Sequence, residues 1–383
     1  MQRRSFHVFA ACACAAIGVA EGCGLGDEPG KTSATGSGSG GGETTFSAST
    51  GDETSLSTGV SGSQATGAGG GCQHFDVTFK QDTPTVLILV DRSGSMFDGN
   101  YWTPLKTAAL SAVQKLQSSV RFGFTAFTGE AGGVCPDVIG TMGSDKIALN
   151  NYAAVQAAYE LASVKPSYKA ETPTELVFLT LAIPELEAVT ETGPKYVLFI
   201  TDGDPDKCDD GNPVCARDGV IGAQQAAHGK GIGTLVFGLG PATQVQHLQD
   251  MANAGAGAPV LDPGGALAGC PPPAGAYKPA GGTTKYYTPT ATDTASLEAA
   301  LTAAISGVKS CTFDLQGEIK VDLASAPGGT VIVDGKVVPY DMSNGWFMKT
   351  ETQLEFTGTA CDQVKQASQK ISFDFPCDSI IPK

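Results

Sequence analysis

Four short apolar runs, separated by longer segments with helical patterning, constrain the fold of this chain more than any other feature. The runs lie at residues 86–90, 121–127, 196–201 and 234–239. The helical segments lie at residues 104–116, 152–161, 174–189, 219–228, 244–254 and 295–308. Strands that alternate with helices form parallel sheets covered on both faces. We therefore predict an α/β fold with a doubly wound, mostly parallel sheet.

The first apolar run ends in Asp91-Arg92-Ser93-Gly94-Ser95, which presents one carboxylate and two hydroxyls within five residues. These are hard oxygen ligands, which suit Mg²⁺, Ca²⁺ or Mn²⁺ better than zinc or copper. Ligands of open α/β sheets bind outside the carboxyl ends of the strands, where this segment is predicted to lie. The alternative interpretation is a polar strand-to-helix loop with an N-cap.

Two further segments are predicted to reach the same edge of the sheet. Asp202 directly follows the third apolar run, and Thr172 precedes the helical segment that Pro173 helps to start. Loops after neighbouring strands meet at the topological switch point of such a sheet. We therefore expect one small cation to be surrounded by Asp91, Ser93, Ser95, Thr172 and Asp202.

This set resembles the metal-ion-dependent adhesion site of the von Willebrand factor type A domain, also known as the integrin I domain. The resemblance rests on the Asp-x-Ser-x-Ser motif, a distant Thr and the Asp of Thr-Asp-Gly, in the expected order. It implies that Ser93 and Ser95 bind the ion directly. Asp91 and Asp202 would bind it directly or through water, and Thr172 would switch with ligand state. The last coordination position would be open to a carboxylate of a protein partner.

One residue departs from the family pattern. Family members commonly carry a small residue before the Thr, whereas this chain has Glu171. Glu171 either points to solvent, as loop glutamates usually do, or occupies the coordination position that a partner would use. In the second case the chain itself would close the site, and the metal would be mainly structural.

The beginning of the chain predicts export and a flexible tether. A basic start, an apolar stretch too short to span a bilayer and a Gly-Cys pair make residues 1–22 a predicted signal peptide. The pair resembles a bacterial lipoprotein cleavage site, at which Cys23 would be lipidated. Residues 23–71 are rich in Gly, Ser and Thr and are predicted to be disordered. We expect a protein of the bacterial cell envelope, held at the outer membrane or cell surface only by this lipid.

The cysteines after Cys23 are even in number, which indicates disulfides in an exported chain. Their spacing favours two local pairs, Cys208–Cys215 and Cys361–Cys377. A third pair, Cys72–Cys311, would tie together the two ends of the central region. A zinc site is not predicted, because no pair has CxxC spacing.

The last part of the chain has a different pattern from the centre. Residues 311–383 contain several short strand-like runs, and Asp334-Gly335 is a typical two-residue hairpin turn. We predict a small antiparallel β module there, stapled by a disulfide because its core alone would be marginal. Residues 72–310 are assigned to the domain that resembles von Willebrand factor type A.

The acidic loop at residues 202–210 allows two interpretations. Its alternating Asp residues resemble the start of a calcium-binding loop, but no Glu closes the loop and Pro205 interrupts it. The alternative is a solvated loop that the predicted Cys208–Cys215 disulfide pins.

These features predict a binding protein of the cell surface rather than an enzyme. It would bind an acidic residue of a protein partner through Mg²⁺, or through Ca²⁺ or Mn²⁺. The formal net charge of −15 argues against a nucleic-acid partner. One alternative is an envelope-assembly component with a structural metal. The other is a metal-dependent hydrolase using Asp91 or Asp202, although Ser93 replaces the second carboxylate and no His lies near the motifs.

Overall fold

The computed structural model describes residues 75–382, apart from residues 131–133, 142, 144–145, 167–170, 209–211, 242–243 and 367–369. The predicted signal peptide, the tether, Cys23 and Cys72 lie outside the described residues. The strands are β1 Phe75–Asp76, β2 Phe79–Gln81, β3 Thr85–Asp91, β4 Arg121–Thr128, β5 Asp137–Gly140, β6 Lys195–Thr201, β7 Ile232–Gly238, β8 Thr312–Leu315, β9 Ile319–Val321, β10 Thr330–Val333, β11 Lys336–Val338, β12 Trp346–Thr350, β13 Gln353–Phe356, β14 Ile371–Phe375 and β15 Ile380–Pro382. The α-helices are α1 Gly94–Asp98, α2 Trp102–Leu116, α3 Tyr152–Ala162, α4 Thr174–Val177, α5 Ile183–Ala188, α6 Pro213–Gly229, α7 Val245–Gly255, α8 Thr294–Gly307 and α9 Gly358–Lys365. No helix in these ranges is long and apolar enough to cross a membrane.

A five-stranded sheet with the order β5-β4-β3-β6-β7 forms the centre of the α/β domain. β3 pairs in parallel with β4 on one side and with β6 on the other, and β7 continues in parallel beyond β6. Only the edge strand β5 is antiparallel. The chain leaves β3 towards β4 and later returns to its other side, so β3 lies at the topological switch point. The predicted doubly wound, mostly parallel sheet is confirmed.

The alternating side chains of β3 show how the sheet is covered on both faces. Every residue of this strand is buried, as expected for a parallel strand that reads as one apolar run. Val86, Ile88 and Val90 belong to a core with residues of α2, α3 and α8. Leu87 and Leu89 belong to a second core with residues of α4 to α7. The apolar run therefore places the end of β3 between two helical layers.

The helix that follows the Thr172 segment has a π-helical centre. α4 continues through a π turn at Phe178–Ala182 into α5. Pro184 lies just after this turn, lacks an N–H and would press its ring against the carbonyl four residues earlier. The wider π turn accommodates the proline without ending the helix. The predicted helix at residues 174–189 is thus present with an altered middle.

The C-terminal module consists of antiparallel sheets with strand orders β1-β14-β10-β11, β12-β13-β8-β2 and β15-β9. The predicted hairpin is present, and Asp334 and Gly335 have positive φ angles of 49° and 75°. Two strands of this module come from the other end of the α/β domain: β1 pairs with β14, and β2 pairs with β8. The ring of Phe79 in β2 lies 4.7 Å from that of Phe373 in the module's core.

The predicted assignment of residues 72–310 to the α/β domain is therefore corrected for residues 75–81. The strands at Phe75–Asp76 and Phe79–Gln81 belong to the β module, and the α/β domain is inserted between β2 and β8. β1 and β2 have only two and three residues, which is too short for a recognisable hydrophobic pattern. Their partner strands β14 and β8 follow the whole α/β domain in the sequence, so the sequence did not reveal these pairings. The two domains are therefore joined by two short connections.

The described disulfides differ from every predicted pair. They are Cys135–Cys208, Cys215–Cys270 and Cys311–Cys361. The predictions Cys208–Cys215, Cys361–Cys377 and Cys72–Cys311 are wrong, because at least one cysteine of each pair is bonded elsewhere. The observed bonds span 50 to 73 residues. The fold brings distant segments together, so that nearness in sequence was a poor guide to pairing.

Candidate metal centre

Asp91, the last residue of β3, is fully buried at the carboxyl edge of the sheet. Its Oδ1 accepts a hydrogen bond from the Ser93 backbone N–H at 2.7 Å, and its Oδ2 accepts one from the Thr201 hydroxyl at 2.7 Å. Thr201 is the last residue of β6, so the second bond joins the ends of two neighbouring parallel strands. Burial raises the pKa of Asp91, because the hydrogen bonds only partly replace the lost hydration.

Asp202 follows β6 directly and lies at the same edge. Its Oδ1 accepts a hydrogen bond from the Ser95 hydroxyl at 2.9 Å, and Ser95 Oγ lies 2.9 Å from Ser93 Oγ. Asp202 is only 2% exposed. Burial and the neighbouring charge of Asp91 raise the pKa of Asp202 to about 7. The structure thus brings these two carboxylates and two serine hydroxyls into one cluster.

Arg92 fixes the loop between the two predicted ligands Asp91 and Ser93. Its Nε donates to the carbonyl of Ala162 at 2.9 Å, and its Nη2 donates to the carbonyl of Val164 at 2.8 Å. Its Nη1 lies 3.2 Å from the carboxylate of Asp137 in β5. The guanidinium is therefore bound to the end of α3 and to the edge strand β5. These contacts hold the loop between Asp91 and Ser93 in place.

Thr172 lies on a third segment, which is held on two sides. Asp206 Oδ1 accepts the Thr172 backbone N–H at 2.6 Å, and the Thr172 carbonyl accepts the Asp206 N–H at 3.1 Å. On the other side, the hydroxyl of Thr128 in β4 donates to the carbonyl of Glu171 at 3.5 Å. Burial, with the charges of Glu171 and Asp91, raises the pKa of Asp206 to about 6. The Thr172 segment is therefore tied through Asp206 to the loop that follows Asp202.

The side chain of Glu171 turns inward rather than fully into solvent. Its Oε2 is buried and has no hydrogen-bond partner in the described part of the chain. A Cβ added to Gly129 would lie 2.6 Å from Glu171 Cβ and 2.9 Å from Oε2, so a glycine at the end of β4 permits this approach. Of the two sequence-based alternatives, the structure disfavours a solvent-facing Glu171.

Three contributing residues escaped the sequence analysis. Arg92 stands inside the motif, Thr201 stands directly before Asp202, and Asp206 lies in the acidic loop. The position of Thr201 at a strand end was a usable signal, whereas the roles of Arg92 and Asp206 depend on distant partners. In the same loop the Asp204 carboxylate pairs with Arg217. These two loop carboxylates, Asp204 and Asp206, therefore already have protein partners.

The cluster fits a divalent cation with oxygen ligands. None of the salt bridges found among the described residues involves Asp91 or Asp202. Two buried, mutually repelling carboxylates need either a proton or a cation. The same residues hold no group of three or more His, Cys, Asp or Glu side chains suited to a metal. The other oxygen atoms in the described cluster belong to the hydroxyls of Ser93 and Ser95. A site built from oxygen atoms favours Mg²⁺ or Mn²⁺ over softer ions.

Metal affinity is expected to rise with pH between about 5 and about 8. The ion-free site takes up a proton because the pKa of Asp202 is raised to about 7, and a cation must displace this proton. Below that pKa, the affinity should fall about tenfold per pH unit if one proton is displaced. Calorimetric titration of Mn²⁺ over this interval measures the effect, and an affinity independent of pH would contradict it.

The raised pKa of Asp202 also predicts how the ion changes the thermal stability of the protein. A carboxyl group with a raised pKa stabilises the ion-free fold at acidic pH, and this contribution is lost as the pH rises through about 7. The increase in Tm caused by Mn²⁺ should therefore grow over the same interval. Parallel scans in chelator supply the ion-free reference.

Comparison with known proteins gives one clear family assignment. The von Willebrand factor type A domain family matches residues 85–261. This match begins at the first residue of β3 and includes Asp91, Thr172 and Asp202. No curated protein matches the chain.

The solved structures that match this chain are distant from it in sequence. Proximal thread matrix protein 1 from the mussel byssus is 15% identical, covers 60% of this chain and 49% of its own, and has a TM-score of 0.37. The pilus adhesin SpaC from Lactobacillus rhamnosus GG is 13% identical, covers 79% of this chain and 40% of its own, and has a TM-score of 0.43. A von Willebrand factor type A protein from Catenulispora acidiphila is 13% identical, covers 82% and 66%, and has a TM-score of 0.39.

The chain spans half or less of the mussel and Lactobacillus structures. The family match covers the strands β3, β4, β5, β6 and β7 of the five-stranded sheet. It also covers Asp91 and Asp202 at the carboxyl edge of that sheet. Residues 85–261 form a von Willebrand factor type A domain.

Proposed function

We propose that this chain is a cell-envelope protein that binds a protein partner through a divalent cation. The residues that would hold the ion are Asp91, Ser93, Ser95, Thr172 and Asp202. The observation that carries the proposal is the buried pair Asp91 and Asp202, which is surrounded by hydroxyls and has no described cationic partner. Mg²⁺ is the expected ion, with Ca²⁺ or Mn²⁺ as alternatives.

The ligand set favours capture of an acidic group. Serine and threonine hydroxyls are neutral, so a divalent cation held by two carboxylates keeps a strong attraction for another oxygen anion. Ser95 is exposed although Asp91 and Ser93 are buried, so the cluster opens to the surface at this residue. An Asp or Glu side chain of a partner is the natural ligand for such an opening.

A purely structural metal is the second candidate, and Glu171 favours it. Its buried, unpaired Oε2 lies on the segment that carries Thr172, where it could supply the last ligand from within the chain. The hydrolase alternative gains no support, because the described hydrogen bonds of Asp91 and Asp202 involve only hydroxyls and backbone amides.

The remaining parts of the chain complete the proposal. Lipidation at Cys23 would anchor the protein, and residues 23–71 would act as a tether with a root-mean-square reach of about 40 Å. The three described disulfides support an exported location, since such bonds persist in oxidising compartments. The folded domains would then stand off the membrane surface.

The proposal is tested with Mn²⁺, which reports on its own coordination shell. Calorimetry on the full folded protein should show one Mn²⁺ site that a chelator empties. Water-proton relaxation should then show that a short Glu-containing peptide displaces water from the bound ion, whereas the matched Gln peptide does not. No Mn²⁺ binding would refute the proposal. Binding without any effect of the Glu peptide would favour the structural candidate.

A further inference from the structure

The loop that follows Asp202 is attached to its surroundings at four points. We call residues 203–208 the clamp loop. Its attachments are Asp204 to Arg217 in α6, Asp206 to Thr172, Lys207 to Glu175 in α4 at 3.5 Å, and Cys208 to Cys135 beside β5. Two of these contacts reach the segment that contains Thr172 and the start of α4. The other two fix the loop to α6 and to the sheet edge.

The contact between Asp206 and Thr172 is reciprocal. Each residue donates its backbone N–H to the other, to a side-chain oxygen in one direction and to a carbonyl in the other. Such a ring defines both the position and the direction of the Thr172 backbone. Pro205 directly before Asp206 is buried and fixes one backbone angle of the loop. The clamp loop can therefore hold Thr172 at a set distance from Asp202, which directly precedes the loop.

The disulfide strengthens this arrangement at the far end of the loop. Cys208 lies two residues after Asp206, and its partner Cys135 lies two residues before Asp137, which pairs with Arg92. The two cysteines thus connect the segment of Asp206 with the segment that supports the Asp91 loop. The segments of Asp91, Thr172 and Asp202 are consequently linked to one another through Arg92, the Cys135–Cys208 disulfide and Asp206.

We propose that Asp206 is a positioning residue for Thr172 and that the Cys135–Cys208 disulfide holds it in place, so that both set the affinity of the site for its cation. This inference rests on the proposed metal site and adds a determinant outside the family's five motif positions. Asp206 acts as a hydrogen-bond acceptor at a set place. Its negative charge is not what the role requires.

The test compares two substitutions of Asp206 in the full folded protein. Asp206→Ala removes the acceptor and should weaken Mn²⁺ binding about tenfold, near the lower end of the loss expected for an outer-shell partner of a metal ligand. Asp206→Asn keeps an oxygen at the same place and should bind Mn²⁺ within about twofold of the wild type. If Asp206→Asn binds as weakly as Asp206→Ala, charge is the determinant and the positioning role is overturned. Unchanged affinity in both variants overturns it as well.

Removal of the disulfide gives an independent test with a matched control. The Cys135→Ser/Cys208→Ser variant should bind Mn²⁺ about tenfold more weakly. The Cys215→Ser/Cys270→Ser variant loses the other described disulfide of this domain and should lose stability but keep its Mn²⁺ affinity. Equal affinities in the two double variants would overturn the role of Cys135–Cys208. Wild-type protein that binds no Mn²⁺ refutes the proposed function itself, so the two failures are distinguishable.

Discussion

Replacement of Asp91 with asparagine is expected to weaken Mn²⁺ binding at least about 100-fold while the α/β domain stays folded. Asp91 supplies one of only two carboxylates in the cluster, so its loss halves the anionic charge available to the cation. We expect the affinity for Mn²⁺ to fall at least about 100-fold, the upper end of what outer-shell substitutions cost. The stability of the metal-free protein should stay the same or rise, because the asparagine side chain carries no buried charge and keeps an acceptor oxygen for Ser93 or Thr201.

A buried aspartate elsewhere in the same domain serves as the control. Asp218 in α6 accepts hydrogen bonds from the backbone of Ala274 and Gly275 and from the Tyr277 hydroxyl. Asp218→Asn should lower the Tm in chelator and leave the Mn²⁺ affinity unchanged. Thermal scans and calorimetry on both variants separate the two effects. Retention of Mn²⁺ binding by the Asp91→Asn variant would remove the basis of the proposed site.

Replacement of Trp346 with alanine is expected to have the largest effect on stability. Trp346 is fully buried in β12, and its Nε1 donates to the carbonyl of Val338 at 3.1 Å. Its ring also packs against Phe375 with centroids 5.7 Å apart. Truncation should cost the β module about 3–5 kcal/mol. Val337→Ala is the control, because Val337 is 68% exposed, and it should change stability by less than about 0.5 kcal/mol.

The remaining tryptophan allows the two domains to be followed separately. The chain has two tryptophans, so Trp102 in α2 is the only one left in the Trp346→Ala variant. Urea unfolding followed by circular dichroism should begin at a lower urea concentration than unfolding followed by Trp102 fluorescence. Coincident transitions would show instead that the inserted domain and the module unfold as one unit.

The sequence allowed the central sheet and most of the site to be predicted, for a physical reason. β3 and β6 each contain a continuous apolar run, and a polar residue directly after such a run must lie at the carboxyl edge. The sequence alone therefore places Asp91 and Asp202 together. Ser93 and Ser95 could be predicted to lie at the same edge because they follow Asp91 within four residues of the sequence.

Other features could not be predicted because they depend on contacts between distant segments. β1 and β2 pair with the C-terminal strands β14 and β8 through only two and three residue pairs. The disulfide partners depend on how the edge strand, the clamp loop and the irregular segment around Cys270 meet. Asp206 looked like one more acidic loop residue, and only the hydrogen bonds with Thr172 reveal its place in the site. The side chain of Glu171 can turn inward because residue 129, directly after β4, is a glycine.

The insertion of the α/β domain into the β module has a mechanical consequence. β2 ends shortly before β3 begins, and β3 runs straight from that connection to Asp91 at its far end. In an anchored protein, a pull by an ion-bound partner would therefore travel along β3 towards the tether. β3 lies between two strands parallel to it, so the load would act along the strand against both ladders of hydrogen bonds at once. Such shear requires many bonds to break together, whereas peeling breaks them one by one. The central strand thus makes the attachment suited to resist tension.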